Sequence, residues 1–548
     1  MNTRASHLPR FWAQSASAAA LILVSTVLSQ PTSGATQENR GAPQPIKIKG
    51  PMCNIDDTVF FWGATLPKGK TGEAIDRYVD VMAEAGAGVL LCCVNARRTN
   101  YRTRVWDAYW DGYDPAGPDH QPFLAPIPAQ DVRAYRQLID NMLAVYQEGV
   151  DYPARMLARC RHHGISPWIT LRMNDCHFND ISNHPFHGSF WKKNPPYARK
   201  NCPGYFATCL DYAHPEVRNF YRSLVAEVLD RYDMDGLELD FMREGYLFSA
   251  GKEGEGAPIL TVWLGEMRKL VDAAAAKRGH LIRLGVRVPS RPETALGLGM
   301  EVAKWVQDGL VDVLVPTPRW ATLEFDMPIE QWRQMCGTSK VALAGGLEIR
   351  YQPFPGGPAA TVSPPLARGA AVNVLSRGAD AVYLFNYFQD SDPSWPMPVY
   401  KSTLNAMSSL ESLLKLPRSV GMTYRDITAP GEVYRPPLPA TGRELRFAMR
   451  IGPLPGRGRR CRLVSDFAPV ANQAFAVPGA LVNGKPCAVL HRETTREGHH
   501  VVSFTVPLAA LSATKAQEIR VLGGDPNTQT MYRVERVEMA IEEDREGK

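Results

Sequence analysis

The stretch Asp233-Met-Asp-Gly-Leu-Glu-Leu-Asp-Phe-Met-Arg-Glu244 carries five carboxylates around a short apolar run. Polar and apolar residues alternate from 236 to 241, which is the period of a β-strand. Because successive side chains point to opposite faces, Glu238 and Asp240 share one face and the apolar residues share the other. The stretch therefore predicts a strand that packs its apolar face against helices and carries two acids on its inner face.

The same order, a short apolar run followed by an amphipathic one, recurs along the chain. Runs of these two lengths predict strands and helices, respectively. Eight strands, each followed by a helix, are the repeat of a (β/α)8 TIM barrel of the α/β class, which we predict for residues 50–420. A doubly wound open sheet is the alternative, but no GxGxxG follows the first predicted strand. The predicted strands are 58–62, 88–95, 166–174, 236–241, 283–289, 312–316, 340–348 and 381–387.

The pattern changes after the barrel. Residues 428–545 contain short, alternating β-rich segments separated by turn signals such as Asn483-Gly484. They predict a C-terminal β-sandwich domain. This accessory domain either binds sugar or braces the barrel, and the absence of Trp from it favours bracing.

Composition and the N-terminus bear on location and partners. The chain has 548 residues and a formal charge of +6, with 62 basic and 56 acidic residues interspersed, so we expect no nucleic-acid partner. Arg4 and Arg10 precede an apolar run at residues 18–28, and small residues follow at 33–35, so residues 1–35 predict a cleavable signal peptide. No later stretch is long enough to span a membrane. We expect a periplasmic or secreted protein whose oligomeric state is open.

Ten cysteines are too few in a chain of this length for a disulfide scaffold. One bridge within Cys176, Cys202 and Cys209 and another between Cys461 and Cys487 are compatible with the sequence, which assigns neither. A metal-dependent hydrolase using Asp175 and the histidines of the same loop is a further class of function. The spacing of those histidines fits no familiar ligand set, so we expect no metal or other cofactor.

Catalytic groups of such barrels lie at the carboxyl ends of the strands. Asp240 closes the fourth predicted strand and Glu348 closes the seventh, which suggests a pair of carboxylates for glycoside cleavage. We assign Asp240 as general acid/base and Glu348 as nucleophile or second carboxylate. Glu238 would tune Asp240 by like-charge proximity, and Glu244 is a reserve acid.

Other polar and aromatic residues near strand ends are candidates for substrate binding. The two loops at 96–150 and 175–213 are long and rich in aromatic residues, and flat aromatic faces suit sugar rings. Packing of these aromatic residues within the loops is an equally good interpretation. The candidate binding residues are Asn95, Arg172, Asn174, Asp175, Arg243, Arg287, Trp320, Asn386 and Tyr387.

Four motifs resemble those of the glycosyl hydrolase-like family ten domain, a group of exported barrels. The sequence reads His214-Pro-Glu-Val-Arg218, Tyr232-Asp-Met-Asp-Gly-Leu-Glu-Leu-Asp240, Val286-Arg-Val-Pro289 and Leu384-Phe-Asn-Tyr387. The resemblance covers about residues 50–415 and implies glycosidase chemistry on a carbohydrate substrate. Chitinase-type barrels place an acidic Glu where this sequence has Met242. That difference favours the alternative function, a non-catalytic carbohydrate-binding barrel.

Overall fold

The computed structural model describes residues 48–63, 65–202, 204–387, 393–523 and 530–544. Within them, eight parallel strands close into a barrel in which each strand pairs with its neighbours along the chain and the eighth pairs with the first. The predicted (β/α)8 barrel is confirmed. Barrel strands one to eight are Met52–Ile55, Val89–Cys93, Ser166–Arg172, Gly236–Asp240, Arg283–Pro289, Val313–Thr317, Ala342–Glu348 and Ala381–Phe385.

The helices between the strands begin and end where the sequence supplies capping groups. Asp151 accepts a hydrogen bond from the Ala154 N–H and so caps the helix that follows it. Pro215 occupies a first position where no intrahelical N–H is needed. The α-helices of the barrel are Thr71–Glu84, Val132–Gln147, Tyr152–His162, Ser189–Lys193, Pro215–Arg231, Glu253–Arg278, Pro292–Gly297, Val302–Gln307, Ile329–Cys336, Pro364–Ser376, Met397–Ala406 and Leu410–Leu414. The 3-10 helices among the described residues are Val59–Phe61, Pro195–Tyr197, Tyr205–Thr208 and Leu508–Ala510.

The position predicted for the first strand was wrong. Residues 58–62 were expected to form it, but the strand is Met52–Ile55, which pairs with strands two and eight. The aromatic run that suggested a strand forms a 3-10 turn instead, and Phe61 packs 4.8 Å from the ring of Tyr152. An apolar run of this length fits either structure, and packing against a helix decides between them. The correction moves the end of strand one to Asp56 and Asp57.

The barrel interior is filled from below by apolar side chains, among them Trp168 and Tyr383. A Cβ atom on Gly236 would lie 2.2 Å from the Trp168 indole, so glycine is required where strand four passes this ring. Further along strand four, Glu238 and Asp240 follow on the same inner face, as the alternation predicted. The apolar filling therefore ends where the acidic residues begin.

The C-terminal β domain is antiparallel, as predicted. The strand Lys485–Thr494 pairs with Gly479–Val482 at one end and with His500–Val506 along the rest. Gly479–Val482 and His500–Val506 contribute most of the buried residues of these three strands, whereas Lys485–Thr494 is exposed except at Cys487. The strands of the domain are Arg418–Gly421, Ala440–Gly442, Glu444–Met449, Arg459–Ala468, Gly479–Val482, Lys485–Thr494, His500–Val506, Gln517–Leu522 and Tyr532–Glu543, and a two-stranded hairpin, Arg350–Tyr351 with Ala360–Thr361, extends from the barrel.

All ten cysteines lie in the described residues, and all are free thiols. The two bridges considered from the sequence do not form, and the Cys176 thiol donates to the Tyr205 carbonyl oxygen at 3.7 Å. Nine of the ten are buried, which suits a small apolar side chain. The signal peptide predicted for residues 1–35 lies outside the described residues. Across the described ranges, no helix is both long and apolar enough to cross a membrane.

Candidate active site at the mouth of the barrel

Glu238 lies at the centre of a hydrogen-bonded network inside the barrel. Its Oε1 accepts hydrogen bonds from Thr170 Oγ1 at 2.7 Å and from the Tyr383 hydroxyl at 2.8 Å. Asn54 Nδ2 donates in turn to the Tyr383 hydroxyl at 2.8 Å. Burial and the neighbouring charge of Asp240 raise the pKa of Glu238 to about 7. Glu238 therefore holds a proton readily while remaining oriented by two donors.

Asp240 lies one layer nearer the mouth and is paired with an arginine. Its Oδ2 is 2.9 Å from Nη1 of Arg287 on strand five, and its Oδ1 accepts a hydrogen bond from the Met242 N–H at 2.8 Å. Arg287 stacks on the ring of Phe385, with its Cζ 3.8 Å from the ring centroid. Both members of the pair are almost fully buried. The guanidinium and the backbone N–H together supply a donor to each oxygen of the Asp240 carboxylate.

Glu348 closes strand seven in a different electrostatic environment. Its Oε1 accepts hydrogen bonds from the Ile349 N–H at 2.8 Å and more weakly from Asn386 Nδ2 at 3.4 Å. Its Oε2 has no hydrogen-bond partner in the described part of the chain. Burial raises the pKa of Glu348 to about 8, against the opposing charges of Arg287 and Arg243. At neutral pH this carboxyl group is therefore protonated, with one oxygen uncommitted.

Asn386 follows strand eight beside Glu348 and has a left-handed backbone, with φ at 63°. Asparagine tolerates this region better than most residues, and such conformations concentrate at functional sites. Its side chain is partly exposed and directs its amide at Glu348. Asn386 thus connects the buried carboxyl group with the open side of the mouth.

A second acidic group follows strand one and was not predicted. Asp56 and Asp57 both pair with Arg172 of strand three, which also reaches Asp175 at 3.1 Å. Burial raises the pKa of Asp57 to about 8, whereas the charge of Arg172 and the neutral Asp57 hold the pKa of Asp56 well below its usual range. Tyr109 donates a hydrogen bond to Asp57. The misplacement of strand one at residues 58–62 hid Asp56 and Asp57, because it put them before the strand. Acids that directly follow a barrel strand are the sequence signal that would have identified them as candidates.

Asp175 also orients His177, which lies in the loop at 175–213 after strand three. Both carboxylate oxygens lie 2.9 Å from His177 Nδ1, and His177 Nε2 lies 3.4 Å from Arg243 Nη2. Since Asp175 accepts and Arg243 donates, these contacts place a ring proton on Nδ1 and make Nε2 the acceptor. The His177 side chain is 35% exposed, whereas His184 and His187 are buried inside the loop.

The side chains of three predicted binding residues are hydrogen-bonded to backbone groups of other segments. Asn95 bridges strands two and three through the backbone N–H and C=O of Arg172. Asn174 bonds to the backbone of Leu210 and Tyr246, and Tyr387 is buried with its hydroxyl on the Glu348 carbonyl. These contacts fix the positions of loops and strand ends. We therefore assign Asn95, Asn174 and Tyr387 to positioning the site.

Trp320 and Glu244 belong to a second layer on the other side of the mouth. Trp320 is partly exposed and lies under the Arg350 guanidinium, 4.6 Å from Cζ to ring. Glu244, the reserve acid, is buried and ion-paired with Arg319 at 2.6 Å. The pairing makes Glu244 a structural anchor for Arg319.

The segment 422–439, called the linker here, joins the strand Arg418–Gly421 to the rest of the C-terminal domain and supports this layer. Asp426 accepts hydrogen bonds from the backbone N–H groups of Arg319, Trp320 and Ala321 at 2.6–2.9 Å. Glu432 of the same segment bonds Thr294 Oγ1 at 2.9 Å. The linker therefore runs along the mouth and holds the loops after strands five and six.

Comparisons with known proteins identify no family. No protein-family model and no curated protein sequence match this chain. Among solved structures, the chain is similar to the glycoside hydrolase domain of PgaB (BpsB) from Bordetella bronchiseptica, with 9% identity, a TM-score of 0.38, and coverage of 65% of this chain and 98% of that one. An Anoxybacillus α-amylase has 10% identity, a TM-score of 0.37 and coverage of 88% and 100%. These values are low, so the barrel assignment rests on the strand order itself.

Proposed function

We propose that this protein is a glycoside hydrolase whose two reacting groups are Asp240 and Glu348. The observation that carries the proposal is that the two carboxyl groups, at the ends of strands four and seven, lie in contrasting environments. Asp240 is paired with Arg287, and Glu348 has a pKa of about 8 with Oε2 uncommitted. Glycoside cleavage requires one protonated and one ionised carboxyl group, and environments that separate their pKa values assign the two roles.

This environment reverses the roles expected from the sequence. Glu348 is the better general acid, because it is protonated at neutral pH and its free oxygen can donate to the leaving oxygen. Asp240 is the better nucleophile or base, because its ion pair with Arg287 holds the carboxylate in a fixed orientation. Glu238 lies behind Asp240 as a positioning residue, and its proton limits the negative charge in the barrel interior.

Support for a saccharide substrate comes from the partly exposed groups around the two acids. Asn386, His177 and Trp320 offer an amide, an imidazole and an indole face, which are the kinds of groups that bind hydroxyls and sugar rings. The resemblance of the 214–218 and 232–240 motifs to glycosyl hydrolase-like barrels agrees with this class. The signal peptide predicted at residues 1–35 would place the reaction outside the cytoplasm.

The test is cleavage of a broad panel of oligosaccharides and polysaccharides, followed by detection of new reducing ends. We expect the wild type to cleave at least one substrate and Asp240→Asn and Glu348→Gln to lose activity by at least about 100-fold. Glu497→Gln, a change on the exposed surface of the C-terminal domain, is the control and should retain full activity.

A carbohydrate-binding barrel without catalysis is the second candidate. It is favoured by the burial of both acids, since Glu348 is 0% and Asp240 1% exposed. Binding of a glycan by the wild type, with no cleavage across the panel and unchanged binding by Asp240→Asn, would support this function and contradict hydrolysis.

A further inference from the structure

Arg243 differs from the other buried arginines of the described chain. Six of the seven donate a hydrogen bond to at least one oxygen atom. Arg172 and Arg287 donate to carboxylates, and the other four donate to backbone carbonyls. These four are Arg97, Arg98, Arg199 and Arg418. Within the described ranges, the side chain of Arg243 has no oxygen acceptor, although only 4% of the residue is exposed.

The Arg243 side chain is held in place by an aromatic ring and a histidine. Its Cζ lies 5.2 Å from the centroid of the Phe385 ring, and its Nη2 lies 3.4 Å from His177 Nε2. Its Nε has no partner among the described residues. A guanidinium withdrawn from water without an oxygen acceptor is costly, so a group that supplies one would stabilise it.

The nearby carboxylates are committed to other partners. Asp175 binds Arg172 and His177, and Asp240 binds Arg287. Glu348 is protonated at neutral pH, and it feels the charge of Arg243. The positive charge of Arg243 is therefore not matched by an ion pair within the described part of the site.

Arg287 adds further donors beside Arg243. Both guanidinium groups lie over Phe385, and Nε and Nη2 of Arg287 also have no partner in the described chain. A forked guanidinium matches the two oxygens of a carboxylate better than it matches a single hydroxyl. Two arginines with uncommitted N–H groups thus contact the same ring, and the charge of each acts on Glu348.

We propose that Arg243 forms a carboxylate-binding subsite and that the substrate is a saccharide containing a uronic acid next to the bond that is cleaved. That the saccharide is cleaved rests on the proposed function. Binding of its carboxylate by Arg243 does not depend on cleavage. Arg243 provides the charge, Arg287 provides further donors, and His177 orients Arg243 from the exposed side.

The binding test uses D-glucuronate and D-galacturonate as probes, with D-glucose and D-glucose 6-sulfate for comparison. We expect at least one uronate to bind the wild type at least about tenfold more tightly than glucose in calorimetry. Arg243→Gln should lose this preference, whereas Arg418→Gln should keep it. Arg418 is the matched control, because it is also buried but donates to Pro453 in the C-terminal domain. Equal binding of glucose and both uronates, a preference for the sulfate, or unchanged uronate binding by Arg243→Gln would overturn the proposal.

Activity separates failure of the subsite from failure of the enzyme. Binding of uronate that depends on Arg243, without cleavage of any glycan, would contradict the proposed hydrolase and leave the subsite standing. Cleavage of neutral glycans with a kcat/KM equal to that for matched uronate-containing glycans would contradict the subsite and leave the hydrolase standing.

Discussion

Replacement of Glu348 by Gln should remove activity on natural glycosidic linkages and make the folded protein more stable at neutral pH. The ordinary pKa of a glutamate is 4.5, and burial raises that of Glu348 to about 8. Between these values the folded chain binds one proton more than the unfolded chain, so the free energy of unfolding falls as pH rises. The contribution of Glu348 is thus fully present below pH 4.5 and is lost as pH rises to about 8.

The size of the effect follows from the shift. Each pH unit within this window lowers the free energy of unfolding by about 1.4 kcal/mol. At pH 7 the accumulated loss is about 3 kcal/mol relative to a side chain that does not titrate. Glutamine keeps the shape and can accept the Ile349 hydrogen bond, so Glu348→Gln should gain up to about 3 kcal/mol at pH 7 and almost nothing at pH 4.

Urea unfolding at pH 4, 5, 6, 7 and 8 measures this difference. The free energy gap between Glu348→Gln and the wild type should widen steadily with pH. Glu497→Gln, on the exposed surface, should show no such trend. A gap between Glu348→Gln and the wild type that stays constant from pH 4 to pH 8 would mean that Glu348 is ionised in the folded protein, and the general-acid assignment would fail.

Three further substitutions test other parts of the structure. Asp240→Asn leaves Arg287 without its buried carboxylate and should lower the free energy of unfolding in urea by about 3–5 kcal/mol. A much smaller loss would show that the ion pair is solvated. Gly236→Ala places a Cβ against Trp168 and should cost about 1–3 kcal/mol; an unchanged thermal midpoint would contradict the tight barrel floor. Asp426→Ala removes the acceptor of three backbone N–H groups and should speed trypsin cleavage after Arg319, while equal cleavage rates would show that the linker does not hold this loop.

The parts of the fold that depend on local pattern were predictable from the sequence. Alternation along strand four placed Glu238 and Asp240 on the inner face, because the period of a strand needs no knowledge of the rest of the chain. The position of Glu348 at the end of strand seven followed in the same way. Strand one was misplaced because the aromatic run after it has the composition of a strand but packs as a turn against Tyr152.

The electrostatic character of the site depends on contacts between distant segments. Nothing near Glu348 in the sequence shows that its Oε2 lacks a partner, since this depends on strands five and eight and on the loops above them. The same holds for Asn95 and Asn174, whose amides are used by backbone groups of other segments. Arg243 stands out only when the partners of every other buried arginine are known.

A comparison of leaving groups in the two carboxyl variants tests whether Glu348 is the general acid and Asp240 the nucleophile or base. A general acid is needed for a poor leaving group such as a sugar hydroxyl and is dispensable for an activated nitrophenol, whereas a nucleophile or base is needed for both. With a saccharide that the wild type cleaves, Glu348→Gln should lose much more activity on the natural linkage than on the nitrophenyl glycoside, and Asp240→Asn should lose both. Equal losses on the two substrates by Glu348→Gln, or full activity of Asp240→Asn on either, would contradict the account.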